Sequence, residues 1–146
     1  MVKPNRSHPP AYLNSNLRRK LYTYLSDLEI SGGSVSFKIT CPEDFEAFDG
    51  HFPGNPVLPG IMLLEIGELA LQLLIQQPVV IKQIKKMKIS GMVLPNQVIS
   101  CIVQMDEHNG LPLPFTAIFK GNEDREISRF TGYCAYTEHV RERSAP

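Results

Sequence analysis

The sequence has no excess of either charge, few cysteines and no hydrophobic run long enough for a membrane. Its 15 basic and 15 acidic residues give a formal net charge of zero, which argues against a nucleic-acid-binding protein, since such proteins normally carry a basic excess. The longest apolar stretch, residues 61–75, is interrupted by two glutamates and a glutamine. It is too short and too polar to span a bilayer. We therefore expect a soluble protein that binds neither nucleic acid nor membrane.

The sequence has three cysteines, Cys41, Cys101 and Cys134, and no two of them lie close together. An odd number without short spacings argues against a disulfide framework and against a zinc site, and it favours a reducing, cytoplasmic environment. All three lie in strand-like surroundings, so we predict that they are small core residues. The first ten residues carry charges, but no apolar run follows them, so no secretory signal is predicted there.

The size and composition fit one globular domain. The chain has 146 residues, of which 42% are hydrophobic and 21% charged, enough to bury a substantial core without disulfides or metals. Residues 1–16 are rich in proline, asparagine and serine and are predicted to form a flexible N-terminal arm, loose or docked on a partner. Residues 17–137 form the predicted domain, and the charged stretch 138–146 is predicted to be a frayed C-terminal tail.

Alternating apolar and polar residues predict a domain rich in β-strands. Two strands within residues 17–30 and 35–39, joined by a Gly-Gly turn, form a predicted hairpin. Residues 42–48 are predicted to form a short helical turn that directs Phe45 and Phe48 inward. Four further strands are separated by residues that favour turns, and they are predicted at 79–89, 97–105, 113–119 and 127–136.

One long helix interrupts this β pattern. Pro59 at its predicted first position and Pro78 beyond its end bracket residues 60–77. These residues are apolar on nearly all sides of the helix, apart from a polar stripe of Glu65, Glu68 and Gln72. Such a helix must be wrapped by other structure. The pattern therefore predicts an α+β fold, in which a curved, mostly antiparallel sheet of about six strands encloses one central helix.

The segment at the start of this helix, residues 50–60, holds three prolines, three glycines and a single histidine, His51. Proline fixes φ and glycine permits backbone conformations that other residues avoid, so the segment has a defined path. Histidine is the side chain best suited to proton transfer near neutral pH. We predict that His51 is a general acid or base held in one place, whereas surface positions are predicted for the remaining histidines, His8, His108 and His139.

Two glutamates on the apolar helix are candidates for a catalytic partner of the histidine. Glu65 and Glu68 lie either on a solvated stripe or in a pocket, and the apolar character of the helix favours an interface or a pocket. Burial raises the pKa of a carboxyl group, which suits a proton donor. The amides of Gly60 and Ile61 open the helix at the positive end of its dipole, where they would polarise a bound carbonyl oxygen. Gly60 also relieves crowding after Pro59, and the two interpretations are compatible.

The motif His-Phe-Pro-Gly-x-Pro-x-x-Pro-Gly, with a glutamate fourteen residues after the histidine, resembles the active-site signature of the 3-hydroxyacyl-[acyl-carrier-protein] dehydratases. These are hot-dog-fold enzymes of fatty-acid and related polyketide synthesis. The close match covers residues 48–74, and weaker similarity continues through 87–96. The first forty residues do not resemble the family, whose housekeeping members carry a His-Arg-Tyr-Pro-Phe-Leu-Leu-Val-Asp-like stretch where this chain has residues 17–22. The resemblance thus implies a hot-dog fold and either fatty-acid synthesis or a specialised polyene or polyketide pathway.

The same resemblance implies a reaction. His51 would remove the C2 proton of a 3-hydroxyacyl thioester, and Glu65 rather than Glu68 would protonate the departing C3 hydroxyl, which gives a trans-2-enoyl thioester and water. No metal or redox cofactor is expected, because the thioester itself is the electron sink. The predicted oxyanion-binding and substrate-binding positions are Gly60, Ile61, Phe52, Pro59 and Glu68.

The resemblance also implies two kinds of partner. The substrate would arrive on the phosphopantetheine arm of an acyl carrier protein. In this family the histidine and the carboxylate of one site come from different subunits, so we expect a homodimer, or a heterodimer with a related hot-dog subunit. The sequence also has a basic cluster, which consists of Lys82, Lys85, Lys86 and Lys88. This cluster either protects a solvated edge strand or docks the acidic carrier protein.

Two other functions remain open from the sequence. A hot-dog thioesterase would use a similar pocket to direct water at the thioester carbonyl. A non-catalytic, acyl-binding partner subunit is the third alternative, and the presence of both His51 and Glu65 argues against it.

Overall fold

Six strands and two α-helices make up the part of the chain that the computed structural model describes, residues 8–49, 54, 56–105 and 113–137. The helices are α1 (Asn16–Tyr22) and α2 (Gly60–Ile75). The strands are β1 (Leu25–Ser31), β2 (Ser34–Thr40), β3 (Val79–Ile89), β4 (Val98–Met105), β5 (Leu113–Lys120) and β6 (Glu126–Tyr136). Short 3₁₀ turns lie at Glu46–Phe48 and Asn122–Asp124.

The strands form one antiparallel sheet in the order β1-β2-β4-β5-β6-β3. In its register Val35 lies opposite Val103, and Ala117 lies opposite Phe130. These residues are buried, so successive pairs on one face of the sheet build the core. The predicted α+β architecture is confirmed, and β1 and β3 are the two edge strands.

Helix α2 packs against β2, β3 and β4 and against α1. Its leucines and isoleucines supply the central part of the core, and Phe45 and Phe48 point inward as predicted. Gly67 lies directly on the ring of Phe130, because a Cβ at this glycine would be 2.8 Å from the Cζ of the ring. The glycine therefore allows the helix to approach the sheet closely, which brings the polar residues of α2 next to β3.

The first predicted strand is wrong at its beginning. Residues from Asn16 form helix α1, and the strand starts only at Leu25. The side chain of Ser15 caps this helix by accepting a hydrogen bond from the amide of Arg18 at 3.0 Å. Leu21 is buried on the inner side of the helix. The alternating residues are typical of a strand, but the N-cap and the packing of this segment on α2 stabilise a helix instead.

The long helix begins at Gly60 as predicted, but the position of Pro59 and the C-terminal end differ from the prediction. Pro59 is the N-cap rather than the first helical residue, so the helix begins at Gly60. It ends at Ile75 rather than residue 77, because Gln76 has a left-handed backbone with φ of 61° and donates its amide to the carbonyl of Gln72 at 2.7 Å. This is a common way for a helix to end.

Part of the predicted N-terminal arm is docked on the domain. Leu13 is 1% exposed and belongs to the core, and its amide donates to the carbonyl of Pro10 at 3.1 Å. The arm, domain and tail boundaries at residues 16 and 138 stay predictions. Of the predicted surface histidines, His8 is exposed, whereas His108 and His139 lie outside the described residues.

The three cysteines are buried, as predicted. Burial raises the pKa of the Cys41 thiol to about 12 and that of Cys134 to about 11, so neither is a thiolate at neutral pH. Within the described ranges, histidine, cysteine, aspartate and glutamate side chains form no group of three that could hold a metal ion. No helix among the described residues is long and apolar enough to cross a membrane.

Candidate active site

A cavity of about 240 Å³ lies between helix α2 and edge strand β3. The helix contributes Ile61, Leu64, Glu65 and Glu68 to its walls, and the strand contributes residues 81–84. The lining therefore combines apolar side chains with two carboxyl groups and other polar groups, a combination also found in small-molecule sites. Because β3 is an edge strand, no further strand of the described chain covers this side of the cavity.

The predicted polar stripe of α2 divides into two parts. Glu65 and Glu68 are one helical turn apart and face the cavity together. Gln72 is fully buried, and its side-chain amide donates to the carbonyl of Val79 at 2.9 Å. Gln72 therefore ties the helix to the start of β3, while the two glutamates are available to the cavity.

Arg18 is the residue of this site that the sequence did not reveal. Its Nη2 lies 3.0 Å from Oε2 of Glu65 and also donates a hydrogen bond to Oε1 of Glu68. The side chains of Arg18, Glu65 and Glu68 are 14%, 28% and 12% exposed, so this is a partly buried ion cluster rather than a surface pair. No spacing rule in the sequence relates a residue of α1 to a helix about fifty residues further on.

The two glutamates have different surroundings. Glu68 uses both oxygens, because its Oε2 accepts the amide of Ile81 at 3.1 Å in addition to the Arg18 contact on Oε1. Burial raises the pKa of Glu68, the Ile81 amide and Arg18 oppose that rise, and the carboxylate of Glu65 adds to it. Glu65 contacts Arg18 through Oε2 alone, and no described residue donates a hydrogen bond to its Oε1. Glu65 is thus the carboxyl group with an oxygen available to a ligand.

The first turn of α2 borders the same cavity. The amides of Gly60 and Ile61 have no acceptor within the helix, because they precede its first hydrogen-bonded turn. A Cβ on Gly60 would lie 3.1 Å from Cδ1 of Ile89. The structure therefore gives Gly60 a packing role against the end of β3, alongside its predicted oxyanion role.

The structure brings most of the predicted site residues to one region. Ile61, Glu65 and Glu68 line the cavity, and Pro59 and Gly60 begin the helix that carries them. The other two predicted residues, His51 and Phe52, lie outside the described residues, so their roles stay predictions.

The lysines of the predicted cluster differ in their position relative to the cavity. Lys82 lines the cavity with the glutamates. Lys86 lies opposite Thr131 in the β3–β6 register, and the ammonium of Lys85 lies 5.7 Å from the ring centroid of Tyr133. All three are exposed on the edge strand, so Lys85 and Lys86 are accessible just beyond the part of β3 that lines the cavity, while Lys82 contributes to its wall.

Comparison with known sequences identifies the relatives of this chain. Residues 27–129 match the sequence model of the ApeI-like family, described as ApeI dehydratase. The 3-hydroxyacyl-[acyl-carrier-protein] dehydratase FabZ of Levilactobacillus brevis is 36% identical over 78 residues, which are 46% of this chain and 53% of that protein. The protein of the same name from Pediococcus pentosaceus is 46% identical over 43 residues, 29% of this chain and 28% of that protein. The chain thus spans about half the length, or less, of these curated relatives.

Solved structures share the fold at low sequence identity. The dehydratase heterocomplex ApeI:P from Xenorhabdus doucetiae superposes with a TM-score of 0.66 at 18% identity, over 76% of this chain and 96% of that one. A hypothetical thioesterase with coenzyme A from Streptococcus pneumoniae has a TM-score of 0.60 at 12% identity, over 76% of this chain and 84% of that one. These likenesses confirm the hot-dog fold. With the family match across residues 27–129, they show that the chain belongs to the ApeI-like dehydratases, a hot-dog family related to the 3-hydroxyacyl-[acyl-carrier-protein] dehydratases.

Proposed function

We propose that this protein removes water from a 3-hydroxyacyl thioester carried on an acyl carrier protein and forms the trans-2-enoyl thioester. The observation that carries the proposal is Glu65, a partly buried carboxyl group in the cavity beside β3 whose Oε1 receives no hydrogen bond from any described residue. The amides at the start of the same helix would bind the thioester carbonyl. Fatty-acid synthesis or a specialised polyene or polyketide pathway would supply the substrate.

The reaction needs one base and one acid. His51 takes the C2 proton, while the amides of Gly60 and Ile61 stabilise the negative charge that develops on the thioester oxygen. Glu65 gives its proton to the C3 hydroxyl, the C3–O bond breaks, and water leaves as the C2–C3 double bond forms. Because the thioester accepts the electron pair of the broken C–H bond, this chemistry requires no metal or redox cofactor. Phe52 and Pro59 would help to enclose the substrate.

The contacts of the two glutamates support Glu65 as the proton donor. Both oxygens of Glu68 are engaged, one by Arg18 and the other by the Ile81 amide. A carboxyl group held by a donor on each oxygen is less available to the substrate than one with an oxygen that no described residue contacts. Glu68 would therefore hold Arg18 in place and line the cavity without transferring the proton.

We also propose that the active protein is a dimer. Strand β3 is an 11-residue edge strand, and several exposed apolar side chains lie near its end and the start of α2: Ile61, Ile89, Met92, Leu94 and Val98. Exposed apolar side chains at this end of the fold favour association. The resemblance adds that His51 and Glu65 of one site would come from different subunits. The partner would be a second copy or a related hot-dog subunit, as the heterocomplex of Xenorhabdus doucetiae suggests.

Sedimentation analysis tests this assembly. We expect the purified protein to sediment as a dimer at micromolar concentration, or to do so only with a related subunit, and we expect dehydration to require the dimeric form. The isolated monomer should be inactive, because it would lack one of the two catalytic residues in each site. A stable monomer with full activity would contradict the proposal.

The carrier protein is proposed to dock on Lys85 and Lys86. Changing both to glutamate should raise KM for a carrier-bound substrate about tenfold, because each exposed charge pair contributes up to about 1 kcal/mol and the substitution reverses the charge. The KM for a short pantetheine thioester should barely change. Salt should weaken the effect, because it screens exposed charges.

A control for this experiment lies elsewhere on the sheet. Lys38 on β2 is also exposed and pairs with Asp27 at 3.7 Å, so Lys38→Glu should leave KM for the carrier-bound substrate unchanged. Lys82 is left intact because it lines the cavity. An equal rise in KM for both substrates would instead favour a structural role for Lys85 and Lys86.

A thioesterase is the second candidate function, because a hypothetical thioesterase shares the fold. Parallel assays of enoyl absorbance and free thiol distinguish the two activities. We expect enoyl product from 3-hydroxyacyl thioesters and no thiol release from saturated acyl thioesters. Thiol release without enoyl formation would identify a thioesterase.

A further inference from the structure

We infer that Arg18 is a positioning residue that holds the carboxyl group of Glu65 at the cavity, with Glu68 as the anchor of its guanidinium. The inference rests on the proposed function, in which Glu65 donates the proton. Arg18 lies outside residues 27–129, the part that matches the family. The contacts of this chain alone indicate its role.

Helix α1 fixes the position of Arg18. The amide of Arg18 donates to the side chain of Ser15 at 3.0 Å, which places the residue in the capped first turn. Leu21 and Tyr22 are buried on the same helix, and α1 packs directly on α2. The guanidinium therefore projects from a helix that is itself held by the core.

A chain of contacts then leads from the sheet to Glu65. The Ile81 amide holds one oxygen of Glu68 at 3.1 Å, the other oxygen accepts from Arg18, and the same Nη2 of Arg18 lies 3.0 Å from Glu65. A glutamate side chain has three rotatable bonds and would otherwise sample several rotamers. With its Oε2 held by Arg18, Glu65 samples fewer rotamers and its Oε1 keeps a more constant position at the cavity.

The charges in this cluster give Arg18 a second effect. The groups that face the two carboxyls are Arg18 from α1, Lys82 from β3 and the Cys134 thiol from β6. After proton transfer Glu65 is a carboxylate beside Glu68, and two such groups repel each other. Arg18 lies between them, so it stabilises the charge that Glu65 acquires as it gives up its proton.

Kinetics of Arg18→Gln test the inference on a pantetheine thioester across pH 5.5–9. We expect kcat to fall by about 10²-fold, the size of effect that a small misplacement of a reacting group produces, with KM changed less than about threefold, since ground-state binding is retained. The pH profile should also change, because Arg18 lowers the pKa of Glu68 and its removal takes away the cation beside both carboxyl groups. Arg18→Lys should recover part of kcat, since it keeps the charge.

Arg19→Gln is the matched control on the same helix. Arg19 reaches the carbonyl of Leu13 at 3.4 Å rather than a carboxyl group, so its removal should leave kcat and the pH profile unchanged. If Arg18→Gln behaved like Arg19→Gln while Glu65→Gln was inactive, the inference would be overturned and the proposed function would stand. If the wild-type protein formed no enoyl product, the proposed function and the positioning role would both fail.

If the Arg18→Gln variant does not fold, a double variant tests the same inference. Arg18→Gln with Glu68→Gln removes one cation and one anion, so no pair of carboxylates is left without a counter-ion. Its kcat should still fall by about 10²-fold, because Glu65 has lost the group that orients it. Wild-type kcat in a folded double variant would overturn the inference.

Discussion

His51→Ala and Glu65→Gln are each expected to lower the rate of dehydration by about 10²–10⁴-fold, the usual contribution of one general acid or base. Glu65→Gln keeps the shape of the side chain and its contact with Arg18, but it removes the exchangeable proton. The folded structure should therefore survive this change. Hydration of an enoyl thioester must fail in the same variants, because both directions pass through one transition state. Enoyl absorbance measures both reactions.

Glu68→Gln is the control that separates the two carboxyl groups. It should be milder than Glu65→Gln by at least an order of magnitude, since the oxygens of Glu68 are already bonded to Arg18 and the Ile81 amide. A larger loss with Glu68→Gln would assign proton donation to Glu68 instead. A protein that binds acyl chains equally with and without His51, and turns over none, would be a non-catalytic partner subunit.

Gly132→Ala is expected to destabilise the fold by about 3 kcal/mol, at the upper end of the usual cost of overpacking. A Cβ at residue 132 would overlap the carbonyl oxygen of Gln83 and lie 3.1 Å from its carbonyl carbon. Irregularities in the β3–β6 register on both sides of Gln83 bring its backbone against this glycine. Because the obstacle is backbone, no side-chain rotation relieves it. The midpoint of urea unfolding measures the loss.

Gly91→Ala provides the comparison for this prediction. A Cβ there would meet Ile127 at 3.7 Å or more, which is ordinary contact, so the expected change is below about 1 kcal/mol. Gly132→Ala should also reduce dehydration, because residues 81–84 of the displaced strand line the cavity. Equal unfolding midpoints for the two variants would show that β3 can move aside without cost.

The elements that the sequence predicted well are those whose pattern is local. The predicted bounds of helix α2 lie within two residues of the observed bounds, because a nearly continuous apolar run between two prolines is compatible with few structures other than a helix. The four later strands were placed within one residue of their observed limits. The start of the first strand was wrong, because residues 17–22 have a spacing compatible with either structure and packing on α2 decides for the helix.

The sequence by itself determined the family and the α+β class, since each depends on residue type and on short spacing along the chain, and it predicts that His51 acts together with Glu65. Only the tertiary structure decided which glutamate oxygen has no contact with a described residue, why Gly132 must lack a side chain, and that Arg18 lies beside the two glutamates. The contacts that form the site join residues whose separation along the sequence is 13 to 50 positions. Separation along the chain does not predict the distance between two residues in the folded protein. The packing of α1 on α2 and the register of β3 with β6 set those distances.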